Sequence, residues 1–488
     1  MRIRTLRTVG LLAALFVSAC KTSDLNITNP NAATVIGAQG DPGALQLQAT
    51  GLLADFRGLV TGFPSGVGIL GRESYVFTPT EGRNTTHWLL GILVGGQQKL
   101  DPAGGGGGLW GPQYNTMRDG FNFRNTVAGS VTLSTAQKAA ATGLSQTLEA
   151  FALLQIVATR DTLGAITEIR EQPTDLAPFV PRDSVYKWIL NTLDAAATNL
   201  AAGGATFPFT LHAGFAGFNT PATFAQFNRA IRARAGAYHA TSGGGAAAWA
   251  PVLTALGGSF LNAGATTRAA LDVGVYQIFS TATGDATNGF SSATNTTQYA
   301  HMSIQANAQL KADGTRDNRY LAKIRTGLPI RSGLTNGAGQ VSASSTIGFS
   351  GYPTSTSPFP SIRNEELILL RAEARLGTGD KAGAIADINQ VRINSGGLPA
   401  STLTPASTND EILLGVLYEK RYSMLLEGHR WIDHRRYGKL SLLPIDITSG
   451  PNINFVAKVM PIPQGECLVR AKSTGALRGP NGQDNCAP

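Results

Sequence analysis

The chain has 488 residues, of which 42% are hydrophobic and 15% charged, and its formal charge is +9. That length suits one large domain or two to three ordinary ones, and the apolar share is enough for a core, which excludes wholesale disorder. The 40 basic residues are scattered among 31 acidic ones with no dense tract past the start, so the charge describes a mildly basic surface and excludes a nucleic-acid footprint. Charge is scarce and glycine abundant (58 residues), so neutral polar surface and long loops are expected, as in exported proteins.

Residues 1–19 read as an export leader. Arg2, Arg4 and Arg7 form a positive start, and Val9 to Val17 an apolar run too short to cross a bilayer. Val17-Ser18-Ala19-Cys20 resembles the lipobox of bacterial lipoproteins, which makes Cys20 the expected lipidation site. Several acyl chains on one residue anchor a protein stably without a transmembrane helix. Residues 20–33 would be a polar, lipidated tether, with Asn29-Pro30 as a turn.

Helical patterns follow. Residues 134–160 open on Ser134 and Gln137, a capping-box spacing, and carry Leu148, Phe151, Leu154 and Ile156 at helical intervals. Residues 183–204 have Asp183 as the expected N-cap and Gly203-Gly204 as the stop. Residues 220–240 pair a Thr220 cap with Pro221 in the first turn, and Ala247 to Leu256 makes a shorter fourth. Residues 61–120 read as long loop, including the run Gly104 to Gly108, which no Gly-Lys-Ser/Thr follows and which is therefore no phosphate loop. Residues 257–360 read as loops with short strands, of a length that is usually functional.

Beyond them, 359–377 is amphipathic, with Leu367, Leu370 and Ala374 on one face. Residues 380–397 follow after a tight turn, with Ile385, Ile388 and Val391 inward, so the two form a hairpin like the unit of a tetratricopeptide repeat. Residues 408–438 are the longest helix candidate, capped by Thr408 and Glu411. Within it Glu427/Arg430 and Asp433/Arg436 are each three apart, which predicts a packed ion-pair network around a structural Trp431. Glycoside hydrolysis by Glu427 and Asp433 is the weaker reading, since carboxylates beside arginines stay ionised and make poor acids. His429 and His434 do not share a helical face, and Cys467 and Cys486 have no neighbouring histidines, so no metal site and no cofactor are expected. In an exported protein that cysteine pair is a candidate disulfide, with two free thiols as the alternative.

These C-terminal segments resemble, in order, the motifs of the SusD/RagB family. The residues are Arg363-Asn364-Glu365-Glu366 through Ala372-Glu373-Ala374-Arg375, then Gly379-Asp380 with Ile388-Asn389 and Val391-Arg392. Glu419-Lys420-Arg421 and Glu427-Gly428-His429-Arg430-Trp431 with Asp433, Arg435, Arg436 and Gly438 follow, and Met460-Pro461-Ile462-Pro463 with Glu466 closes the series. The mature start, the Asp317-Asn318-Arg319 triplet and residues 228–240 with Trp249 match more weakly. Two departures stand out: Glu149-Ala150 with Leu153-Leu154 and Gly164 replaces the usual aromatic pattern, and a Gly/Pro tail with two cysteines replaces the usual ending.

The resemblance implies a mostly α fold of about four tetratricopeptide-like helix pairs with long loop-rich insertions. It divides the mature chain into an N-terminal helical region, 34–260, and a C-terminal region, 261–488, with a loop-rich insert at 261–360. It further implies a lipid-anchored, non-enzymatic outer-membrane protein facing the cell exterior. Such a protein would bind an oligomeric nutrient, glycan or peptide, and hand it to a TonB-dependent SusC-like transporter. A helical-repeat scaffold in the periplasm is the competing reading. A sugar site needs aromatic platforms with amide or guanidinium partners. The loops offer Tyr75, Arg83, Asn84, His87, Trp88, Trp110, Tyr114, Tyr299 and Tyr352 as ligand-binding candidates.

Overall fold

The structure is a computed structural model that describes residues 40–474 apart from 79, 173, 335–340 and 451–452. The expected leader, the tether with Cys20, and Cys486 lie outside the described residues.

Eight helices build the scaffold as four consecutive antiparallel pairs. They are α1 (Pro42–Leu70) with α3 (Gly111–Gly129), α4 (Thr135–Arg160) with α5 (Arg182–Ala201), α6 (Pro221–His239) with α7 (Trp249–Gly257), and α11 (Asn364–Gly377) with α12 (Lys381–Asn394). Each packs on the next in chain order, and α7 meets α11 across the intervening insert. The mostly helical repeat fold expected from the sequence is thus present.

Local chemistry explains the boundaries. Ser134 and Gln137 close a reciprocal capping box, as do Thr220 with Thr223 and Thr408 with Glu411. Gly379 turns the α11–α12 hairpin at φ +89°, and the Asp380 side chain accepts from the Gly383 amide at 2.8 Å. The indole of Trp249 lies so near Gly377 that a Cβ there would sit 2.4 Å from it, which is how α7 and α11 come together. Leu148, Phe151, Leu154 and Ile156 are buried, as are Leu367, Leu370, Ala374, Ile385, Ile388 and Val391.

Four expectations are corrected. First, residues 61–70 complete a 29-residue helix, α1, and 111–129 form α3. Pro64 inside α1 and the many glycines mask the period there, but Leu52, Phe56, Leu59 and Phe63 bury one face. Second, Asp183 is not the cap of α5, which starts at Arg182; Asp183 sits in the first turn and pairs with Lys187 at 2.6 Å and His239 at 2.8 Å. Third, 359–363 is a strand, so α11 begins only at Asn364. Fourth, the long helix over 408–438 is two: α13 (Asn409–Ser423) and α14 (Arg430–Arg436), separated by a turn with Leu426 at φ +63° and Gly428 at φ +84°. A Cβ on Gly428 would come 2.8 Å from the Phe63 ring, so this turn is pressed onto α1.

The insert between α7 and α11 holds the short helices α8 (Arg268–Leu271), α9 (Met302–Ala306) and α10 (Asn318–Lys323), with most of the strands. A four-stranded antiparallel sheet runs β1 (Ser74–Val76), β5 (Gln298–Ala300), β9 (Gly348–Phe349), β6 (Ile324–Arg325). The insert's neck is the antiparallel pair β4 (Gly274–Gln277) and β10 (Phe359–Arg363). Helix α2 (Arg83–Leu89), the hairpin β2 (Ile92–Val94)–β3 (Gln97–Lys99) and the hairpin β7 (Arg331–Leu334)–β8 (Val341–Ser345) complete the loop-rich side. The last helix among the described residues, α15 (Gln464–Thr474), follows the Met460–Pro463 stretch. That stretch is tied to α4, with the Met460 amide donating to the Thr159 carbonyl at 2.9 Å.

Candidate functional site

A cavity of about 660 Å³ opens where the neck of the insert meets the fourth helix pair and the α13–α14 turn. That volume falls within the ~300–1,000 Å³ of small-molecule sites. Its apolar wall is Tyr276 from β4, Phe349 from β9, Tyr352, Pro358 and Pro360. Tyr352 stacks on Phe359 with ring centroids 5.0 Å apart, and Phe359 stacks on Phe290 at 5.4 Å, so the platform is backed by core. The opposite wall is ionic: Arg268 from α8 and Asp272 just after it, Arg319 and Lys323 from α10, Arg363 at the start of α11, and Glu427 from the turn.

The charges are wired together. Arg363 reaches Glu427 at 2.9 Å and also binds Glu365 and the Ser423 carbonyl. Glu365 accepts from Arg268 at 2.7 Å and from the Ser423 hydroxyl at 2.6 Å. Burial pushes Glu365 up, but the two guanidiniums overcome it and hold the carboxyl well below its ordinary range. Arg319 lies between Asp317 and Glu419, each at 2.6 Å. Burial pulls Lys323 down to about 8 against the attraction of Glu427, 3.7 Å away. A smaller void of about 40 Å³ shares Pro360 and Glu427 with the cavity and runs inward between Phe151, Arg234 and Tyr238.

Of the sequence-derived candidates, Tyr352 alone lines this cavity. Arg83, Asn84, His87 and Trp88 come together on α2. Arg83 and Asn84 are exposed there; Arg83 pairs with Glu81 at 2.7 Å and Asn84 donates to Thr78 at 3.0 Å. His87 and Trp88 are half-buried because the glycine run folds over them, with the Gly105 amide donating to His87 Nδ1 at 3.2 Å. Tyr75 and Tyr299 are cross-strand partners on β1 and β5 and are buried: Tyr75 donates to Asp446, and Tyr299 to the Pro329 carbonyl at 3.2 Å. Trp110 is buried against Tyr114, Phe179 and the Arg160 guanidinium. The Tyr114 hydroxyl is engaged by the Ile166 backbone at 2.8 and 3.1 Å. The three buried rings, Tyr75, Tyr299 and Trp110, stabilise loops from within and offer a ligand no face. Their burial follows from the large apolar area of each ring, with the polar tip satisfied inside.

Sequence reasoning missed Tyr276, Asn318 and Lys323 as site residues. For Asn318 and Lys323 the signal was the charge-dense stretch 311–325 in an otherwise charge-poor insert; nothing in the sequence marked Tyr276.

The ion-pair network predicted for the C-terminal block is present with different partners. Asp433 pairs with Arg436 at 2.7 Å and Lys420 at 2.8 Å, and Glu373 of α11 takes Lys420 at 2.9 Å and also Arg436. Glu427 pairs with Arg363 instead of Arg430, because the break after α13 carries it off the helix. Asp433 lies away from the cavity and is held well below its usual range by Lys420 and Arg436 despite burial, so it could not donate a proton there. Trp431 is buried and donates to the Ala457 carbonyl at 2.9 Å. Among the described residues no cluster of ligands could hold a metal ion, and no helix is long and apolar enough to cross a membrane. Cys467 is buried and disulfide-bonded, and its partner lies outside the described residues.

Four stacked helix pairs define a tetratricopeptide-like fold, with the cavity beside the fourth pair. Residues 275–481 match the family model described as the SusD family. That match covers the region whose motif series resembles the SusD/RagB family. Solved structures agree on the fold. A SusD-like carbohydrate-binding protein from Bacteroides fragilis is 16% identical, with a TM-score of 0.63, covering 88% of this chain and 99% of that one. NanU from B. fragilis is 14% identical, with a TM-score of 0.62 and coverage of 93% and 100%. Surface glycan-binding protein A from Bacteroides uniformis is 15% identical, with a TM-score of 0.59 and coverage of 90% and 99%. No curated protein matches the chain by sequence.

Proposed function

We propose that this protein is a lipid-anchored binding component on the outer face of the outer membrane. It captures an oligomeric nutrient, glycan or peptide, and passes it to a TonB-dependent SusC-like barrel without breaking a bond. The cavity between the insert and the fourth helix pair carries the reading, because it joins an aromatic platform to a ready-made array of hydrogen-bonding groups. Carbohydrate-binding relatives with the same fold support a glycan as the ligand. The lipobox-like Val17–Cys20 and the polar stretch after it support an anchored body held off the bilayer. The carboxylates of the cavity wall are bound to arginine or lysine, which supports binding over acid catalysis.

The test is mild proteolysis of intact cells, with recovery of partners from untreated cells through a tagged chain. Loss of the protein to protease together with co-purification of a large barrel is the expected result. A shielded protein that recovers no barrel overturns the reading.

A further inference from the structure

Resting on the reading of the cavity as the ligand site, we propose that it selects an uncharged oligosaccharide. The charge inventory of the wall is closed. Five cations meet there or directly behind it: Arg268, Arg319, Lys323, Arg363 and Arg392. Five carboxylates face them: Asp272, Asp317, Glu365, Glu419 and Glu427. Arg268 is bound by Asp272 and Glu365, Arg319 by Asp317 and Glu419, and Arg363 by Glu365 and Glu427. Arg392 reaches Glu419 at 3.1 Å, and Lys323 gives its protons to the Tyr422 and Ser423 carbonyls beside Glu427. A uronate, sulfate or phosphate on a ligand would have to displace one of these carboxylates. A ligand ammonium would have to displace one of the cations. Either leaves a charge of the chain itself unpaired in a partly desolvated wall, which is the costly arrangement.

What remains free is neutral. The Tyr352 hydroxyl and the Asn318 amide line the cavity, and neither has a hydrogen-bond partner among the described residues. A hydroxyl both donates and accepts, and an amide offers two donors and an acceptor, which matches the rim of a sugar ring. The Tyr276 and Tyr352 rings beside Pro358 and Pro360 match its apolar face. Each guanidinium of the wall is matched by carboxylates, so the wall presents no unpaired charge to a ligand. Discrimination therefore arises from the absence of an unmatched charge as much as from any contact.

The experiment uses the full chain in detergent and three pools: neutral oligosaccharides, acidic oligosaccharides separated from them by anion exchange, and a tryptic peptide digest. Retention of material from the neutral pool alone is expected, and Tyr352→Ala should weaken it at least tenfold with an unchanged melting temperature. Asp272→Asn releases Arg268 at the exposed rim. It should raise acidic retention at least fivefold relative to neutral retention. Preferred retention of the acidic or the peptide pool overturns the charge argument while leaving a binding protein. An Asp272→Asn protein that gains nothing for acidic material also overturns it. Failure to retain any pool overturns both this inference and the function on which it rests.

Discussion

The second helix pair and the fourth are built from the same hairpin but held by different forces. In α4 the buried face is Leu144, Leu148, Phe151, Leu154 and Val157, and its one buried carboxylate, Glu149, is matched by Arg124 at 2.8 Å. Around α11 the buried set includes Glu365, Glu366 and Glu373, with Arg234, Arg363, Lys420 and Arg436 as partners. The apolar pair is non-directional and tolerates adjustment. The ionic group fixes angles and distances, because a buried charge that loses its partner is expensive. The cavity lies on the ionic side, where its charged groups hold one another in place.

The largest effect should come from Glu373→Ala. It strips Lys420 and Arg436 of a shared carboxylate and Tyr437 of its acceptor at 2.8 Å, leaving Asp433 to serve two cations. Chemical denaturation should show a loss of about 3–5 kcal/mol. A loss below about 1 kcal/mol would erase the contrast between the two pairs. Next, Leu148→Ala in the apolar pair should cost about 2–4 kcal/mol in the same assay, the usual range for a cavity in a packed core. The smallest and most diagnostic effect concerns His434. Burial, then the charge of Arg430, pulls this ring down to about 4, and it is bonded to the Arg430 carbonyl at 2.8 Å. The folded chain keeps it neutral while the unfolded chain takes up a proton below about 6.5. Its contribution is therefore complete above pH 6.5 and lost as pH falls toward 4, at up to about 1.4 kcal/mol per pH unit. His434→Gln should flatten the stability profile across that window, and an unchanged slope would mean that the ring titrates normally.

The legible parts of the fold were those with regular signals. The capping boxes at Ser134 and Thr408, the Thr220 cap and the inward faces of α4, α11 and α12 could be read directly. Helices α1 and α3 could not, because Pro64, Gly58, Gly62, Gly66 and Gly120 dilute the apolar period; Gly66 and Gly120 are there to admit Trp88 and Glu149. The break at 424–429 was hidden for another reason. Leu426, a strong helix former, takes a left-handed backbone that only its surroundings impose. The site was least legible. Aromatic residues in loops advertise a sugar platform, yet Tyr75, Tyr299 and Trp110 face inward, and only the assembled fold shows Tyr276 and Tyr352 meeting the charges of α10 and the α13–α14 turn.

The narrow β4–β10 neck has an evolutionary consequence. Everything between Gln277 and Phe359 leaves and re-enters the scaffold through one short two-stranded stem, as a cassette would. Replacing that cassette would exchange Phe349, Tyr352 and the face of α10, while Arg268, Asp272, Arg363 and Glu427 stay with the host. Recognition in such a design is half portable and half inherited. A lineage could reshape the cavity by trading loops while its helices and their ion pairs went unedited.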